Sequence, residues 1–160
     1  MFRRLVNTNN DGAIAVVRLV LGIVMFAHGS QKMLGWFGGG GFSGTMGGFT
    51  QMGMPAVVAF LVICAEFFGS LALILGFLGR LGAVAVAAVM LGAISLVHLK
   101  NGLFMNWTGQ QAGEGFEYHL LALGMSVLIM VRGSGALSID RMLTRQPPGE
   151  AARHELPHAA

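Results

Sequence analysis

Residues 13–34 read AIAVVRLVLGIVMFAHGSQKML, an apolar run broken by one arginine and closed by a histidine and a lysine. A bilayer core of roughly 30 Å is crossed by about 20 largely apolar helical residues, and this stretch is long enough to do so. Its polar residues follow a pattern. At about 100° per residue, Arg18, Gly22, Met25, Gly29 and Lys32 fall on one helix face, with His28 at its margin. His28 and Lys32 are also an i, i+4 pair, one above the other. A charged group at the centre of a span costs about 2.5–3.5 kcal/mol. The stripe is therefore expected to face other helices or a wet cavity. Lys32 can snorkel to the interface; Arg18 and His28 have less freedom.

Composition extends this reading to the whole chain. Of 160 residues, 54% are hydrophobic and 11% charged, against about a quarter charged in soluble domains. Too few charges remain to coat a water-facing surface. Segments 55–78, 81–99 and 116–131 supply three more apolar runs, so the expected fold is an all-α bundle of four transmembrane helices. Pro55 suits the first turn of the second span, and Gly79–Arg80 leaves a tight turn between the second and third. The first span is read as retained, because FAHGSQ is a poor cleavage site.

With the N-terminus inside, Arg3, Arg4, Arg80, Arg132, Arg141, Arg145 and Arg153 fall in the cytoplasm. Lys32 and Lys100 then lie near the outer face. Seven against two is a clear positive-inside bias. The expected organisation is a cytoplasmic N-terminus over 1–12, a membrane domain over 13–143 and a disordered cytoplasmic tail over 144–160. The Gly-rich segment 35–54 joins the first two spans outside, as a cap folded back on the membrane or as a flexible loop. Trp36 and Trp107 suit an outer interfacial belt.

Several function classes drop out. The net charge of +3 comes from dispersed basic residues beside apolar spans, so the expected partner is the lipid bilayer and not nucleic acid. Cys64 is the only cysteine, which excludes disulfide scaffolds and CxxC chemistry within one chain. Gly39, Gly41 and Gly44 match GxGxxG, but no strand precedes them and no βαβ unit surrounds them.

What remains is a set of ionisable groups inside apolar spans. Glu66 sits near the middle of the second span, with Ser70 on its face and Gly69 at the edge. His98 ends the third span. Glu117 and His119 open the fourth, about 200° apart if both are helical, so only one faces the interior and the sequence leaves open which. Measured from the cytoplasmic ends at about 1.5 Å per residue, His28, Glu66 and His119 reach one level in the outer half. His98 and Lys32 sit higher, and Arg18 lies about a third of the way up. Intramembrane ionisable groups mark functional sites by default. His28 and Glu66 are the candidate proton-handling pair, and Arg18 has an alternative reading as a structural or inner-leaflet anchor.

The pieces RLVLGIVMFAHGSQKMLG, EFFGSLALILGFLGR, HLKNGLFMNWTGQQAGEGFEYHLLAL and RGSGALSID stand in an order and spacing that resemble the DoxX/DoxD-like family of small four-helix membrane proteins. The resemblance covers roughly residues 13–143. It implies a multi-pass protein of the bacterial cytoplasmic membrane, with some relatives linked to oxidoreductase complexes, thiosulfate:quinone oxidoreductase among them, and to oxidative-stress defence. By position it carries Arg18, His28, Gly29, Lys32, Glu66, His98, Asn101, Gly102 and Glu117, and less securely His119.

Two classes of function follow. In the first, quinone or a related small molecule binds between the helices. His28 and Glu66 then act catalytically, Arg18, Lys32, His98, Asn101, Glu117 and His119 bind the ligand, and Gly29 and Gly102 serve structurally. A redox partner protein or second subunit would deliver electrons. A metal held by His28, Glu66, His98 and His119 is a weaker variant, since no HxxxH or ExxH pair supports it. In the second class the chain is a scaffold for soluble oxidoreductases or a small-molecule carrier. A homo-oligomer fits either class.

Overall fold

The computed structural model describes residues 2–144, and the regular structure among them is entirely helical. The expected tail falls, beyond Thr144, outside the described residues. A short helix α1 (Phe2–Val6) precedes α2 (Gly12–Met33). Asp11 starts α2 by accepting from the N–H groups of Ala13 at 3.0 Å and Ile14 at 3.2 Å, a side-chain N-cap. The segment read as a loop over 35–54 contains helix α3 (Gly41–Gln51), which packs on α2 and on α4 (Ala56–Leu75). Gly41, Gly44, Gly47 and Gly48 give α3 low intrinsic propensity and no readable periodicity. Packing holds it, and no residue of it is buried.

Pro55 stands just before α4, one place earlier than expected, and its carbonyl accepts the Ala59 N–H at 3.0 Å. The turn into α5 (Gly79–Ala93) is made by residues 76–78, while Gly79 and Arg80 are already helical. The cause is distant in sequence. The Asp140 carboxylate accepts from the N–H groups of Leu78 at 2.8 Å and Gly79 at 3.0 Å, supplying the cap that the local residues lack. A π-helical turn (Ile94–His98) and a 3-10 turn (Leu99–Asn101) prolong α5. Helices α6 (Glu117–Arg132) and α7 (Ile139–Thr144) complete the described residues.

Three helical stretches, Gly12–Met33, Ala56–Leu75 and Gly79–Asn101, are long and apolar enough to cross a membrane. Helix α2 packs on α4, α4 on α5, α5 on α6, and α6 returns to α2. Leu21, Met25, Leu73, Val86, Met90 and Ile129 fill the centre. Polarity is otherwise inverted relative to a soluble bundle. Arg18, Ser30, Glu66, Ser70, His119 and Ser126 are buried, whereas Val20, Ile23, Leu61, Phe68, Leu91, Leu121 and Val127 face outward. Close backbone approach sets the spacing. A Cβ on Gly29 would lie 2.8 Å from Phe67 Cα, and one on Gly82 would lie 2.8 Å from the Gly69 carbonyl oxygen. Small residues at such crossings let helices meet without large side chains between them.

Helices α1 and α7 meet at one end of the bundle. That end is tied by Arg18, which is fully buried. Its Nε donates to the Ser134 carbonyl at 2.7 Å, one terminal nitrogen to the carbonyls of Leu73 and Ile74, and the other to those of Ala136 and Leu137. Leu73 and Ile74 are in the last turn of α4, whose carbonyls lack the regular i+4 N–H partner and attract a cation. The five donors of one guanidinium therefore join α2, the end of α4 and the return segment after α6.

Candidate functional site

The glycine contact between α4 and α5 lies near their shared turn. Towards the opposite end the two helices leave a cavity of about 720 Å³ between Val58–Ala65 and Ala88–Val97, bordered also by α2 and α6. Phe49, Met52 and Met54, from the end of α3 and the residues after it, also line it. The walls are mainly aliphatic, with a polar group formed by His28, Lys32, Glu66, His98, Glu114, Tyr118 and His119. An apolar cavity of this size with a few convergent polar groups is the usual form of a small-molecule site.

Local geometry explains how each residue arrives there. The close Gly29–Phe67 approach sets α2 against α4 with Lys32, one turn further along, beside Glu66. Lys32 Nζ lies 2.8 Å from Glu66 Oε1. The expectation that Lys32 escapes to the interface and that His28 faces Glu66 is corrected accordingly: the ion pair is Lys32–Glu66. Glu66 is 3% exposed, and its Oε2 has no hydrogen-bond partner in the protein. His28 lines the cavity with its ring 6.1 Å from that of Tyr118, centroid to centroid.

The π-helical turn gives α5 an extra residue in its last turn, a local geometry frequent at functional sites, and His98 ends that turn. The His98 ring lies 4.2 Å from that of His119, centroid to centroid, with the two planes tilted by 42°. His98 Nδ1 lies 2.8 Å from the Glu114 carbonyl oxygen, which only accepts, so Nδ1 carries the proton. His119 is 6% exposed and its Nδ1 lacks a partner. The choice left open between Glu117 and His119 is thereby answered: His119 faces the interior. Glu117 faces the connecting loop and accepts from Trp107 Nε1 at 3.2 Å.

Of the residues read as a site, His28, Lys32, Glu66, His98 and His119 share the cavity. Arg18 does not. It lies ten residues before His28 on α2, about 15 Å along the axis, with its donors engaged by carbonyls. Asn101 is not among the residues that line the cavity; its side chain donates to the Glu114 carbonyl at 3.0 Å. Gly102 adopts φ +80° and accepts the Phe116 N–H at 3.2 Å, closing the loop that carries Glu114. Among the described residues no three His, Cys, Asp or Glu side chains form a metal-holding group. The set His28, Glu66, His98 and His119 therefore lines one cavity without converging as ligands.

Sequence reading passed over Tyr118, Glu114 and Asp140. Tyr118 donates to Met25 Sδ at 3.4 Å and sits between His28 and His119. Glu114 and Tyr118 stand in GEGFEYH, where Glu117 and His119 drew attention first. Asp140 is 1% exposed; its isolation in ALSID was the only signal of burial.

The DoxX family profile matches residues 13–99. "Inner membrane protein YqjF" of Escherichia coli (strain K12) is 31% identical over 136 residues, covering 85% of this chain and 95% of that protein. "Putative oxidoreductase CatD" of Bacillus subtilis (strain 168) is 28% identical over 125 residues, 78% of this chain and 82% of that one. "Inner membrane protein YphA" of E. coli (strain K12) is 26% identical over 133 residues, 80% of this chain and 88% of that one. No solved structure matches the chain.

Proposed function

The chain belongs to the DoxX family of multi-pass inner-membrane proteins, and on that premise we propose that it binds quinone or a related ring-bearing small molecule in the cavity between α4 and α5, as a quinone-linked oxidoreductase or the membrane subunit of one. The observation that carries this reading is the pairing of an aliphatic cavity with a buried, half-satisfied carboxylate. Glu66 has one oxygen on Lys32 and the other without a partner. The relative whose name is "Putative oxidoreductase CatD" supports the redox class. Exposed Leu61, Leu96 and Val97 stand beside the cavity on the faces of α4 and α5, which fits a ligand that arrives from the lipid phase.

A bound quinone supplies a two-electron, two-proton acceptor. The chain's own residues would position its head group and handle protons. Lys32 donates a hydrogen bond to a ring oxygen, while Glu66 and His28 exchange protons there. The electrons come from a partner protein or a reduced substrate, since the sequence holds no evident carrier. Purified protein in lipid is expected to support quinone-dependent turnover with such a donor.

The membrane arrangement belongs to the same proposal. Helix α6 forms a fourth span, supported by outward-facing Leu120, Leu121, Val127 and Val131, and its 16 residues draw on their flanks for length. The positive-inside bias puts both termini in the cytoplasm and the α3 segment and cavity mouth on the outer side. A fluorescent C-terminal reporter that is dark in cells while a periplasmic reporter is active at the same position would contradict that orientation.

A second reading, a scaffold for soluble oxidoreductases, is favoured by exposed Leu137 and Met142, near Arg132 and Arg141 in the chain. Retention of a soluble enzyme after mild detergent extraction, without quinone turnover by the purified chain, would favour it over catalysis.

A further inference from the structure

We infer that the cavity prefers the reduced, dihydroxy form of its aromatic ligand to the oxidised dione. The inference rests on the ring-binding reading above and follows from the hydrogen-bond inventory of the walls. Two groups have roles fixed by their other bond. Glu66 Oε2 belongs to a carboxylate whose Oε1 is held by Lys32 at 2.8 Å, so Oε2 accepts and has no donor. His98 gives its Nδ1 proton to the Glu114 carbonyl at 2.8 Å, so in the neutral ring Nε2 is a lone-pair acceptor.

The donors are fewer. Lys32 Nζ holds Glu66, with a long contact of 3.5 Å to the His28 carbonyl, and its remaining N–H can serve a ring oxygen of either form, so it does not tell them apart. The Tyr118 hydroxyl is turned to Met25 Sδ. His28 and His119 can each present either role, because no partner fixes their tautomer. A dione brings acceptors alone and would leave Glu66 Oε2 and His98 Nε2 without donors. A dihydroxy ring brings two O–H groups and satisfies both. Leaving the buried Glu66 Oε2 unmade costs more than a typical hydrogen bond contributes, so the two forms are separated by about tenfold or more in affinity. By linkage, a tenfold preference raises the potential of the bound couple by about 30 mV, which favours reduction of the ligand at this site.

The test uses the full chain in lipid nanodiscs, titrated anaerobically with menadiol and separately with menadione. A redox-inert pair, an alkylresorcinol and its dimethyl ether, repeats the comparison without electron transfer. Menadiol and the resorcinol are expected to bind about tenfold tighter than their counterparts. Glu66→Gln, which offers both a donor and an acceptor, should reduce that ratio to about threefold or less. His98→Gln should shift it the same way if Glu66→Gln does not fold. Equal affinity for the two forms overturns the preference and leaves the ring-binding reading standing. Binding of neither form overturns both.

Discussion

Replacing Arg18 with leucine is expected to lower the thermal unfolding midpoint of the detergent-purified protein by about 6–20 °C. Five carbonyls lose a donor at once, from Leu73, Ile74, Ser134, Ala136 and Leu137. Each unsatisfied buried acceptor costs about 1–3 kcal/mol. Leu73 keeps a second bond from the Gly76 N–H at 3.1 Å, so the sum stays below the simple product, at about 3–5 kcal/mol. A chain of this length loses about 2–4 °C per kcal/mol. Arg18→Lys should recover less than half of the loss, because an ammonium has three donors on one point and cannot span the fork. Ligand affinity of the folded lysine variant should match wild type. A selective loss of binding without loss of stability would return Arg18 to the ligand site, where the helical stripe first placed it.

The Lys32–Glu66 pair leads to the second large effect. Lys32→Met leaves Glu66 buried with neither oxygen partnered, and breaking a buried pair from one side costs about 3–5 kcal/mol. The lysine side chain is 26% exposed and the glutamate 4%, so the lower end applies, a midpoint about 6–12 °C below wild type. The double variant Lys32→Met, Glu66→Leu should return close to wild-type stability, because two apolar side chains leave no charge unpaired. It should still lose ligand binding. A double variant as unstable as the single would mean that the pair holds the bundle together, and retained binding in the double variant would remove Glu66 from the site.

These two residues also show where sequence reading stopped. The three long spans were legible because apolar length is a local property: 13–34, 55–78 and 81–99 lie within a few residues of the observed helices. Depth counting from the helix ends brought His28, Glu66 and His119 to one level, and they share the cavity. Lateral pairing was not legible. His28 and Lys32 sit on one stripe, and the choice between them depends on the offset of α2 against α4, which the Gly29–Phe67 contact sets.

The two readings of Arg18, ligand-binding residue and structural anchor, stayed undecided for a different reason. Its partners include residues 134–137, which reach it only because the chain folds back after α6. No periodicity records that return. The position of His98 escaped phase arithmetic because the π-helical turn begins at Ile94 and breaks the 100° step. Helix α3 was hidden by its own glycines, and Asp140 by acting as a cap for a helix sixty residues earlier in the chain.

The most direct measurement is a density map of the full chain in a lipid bilayer with added quinone, inspected between α4 and α5. The account predicts a planar, ring-sized feature against Glu66 and His98 with its tail directed toward the lipid between those helices. The same map of Glu66→Gln, His28→Ala protein should lack it. A cavity holding only acyl chains at saturating quinone, or a ring retained unchanged in the double variant, would contradict the account.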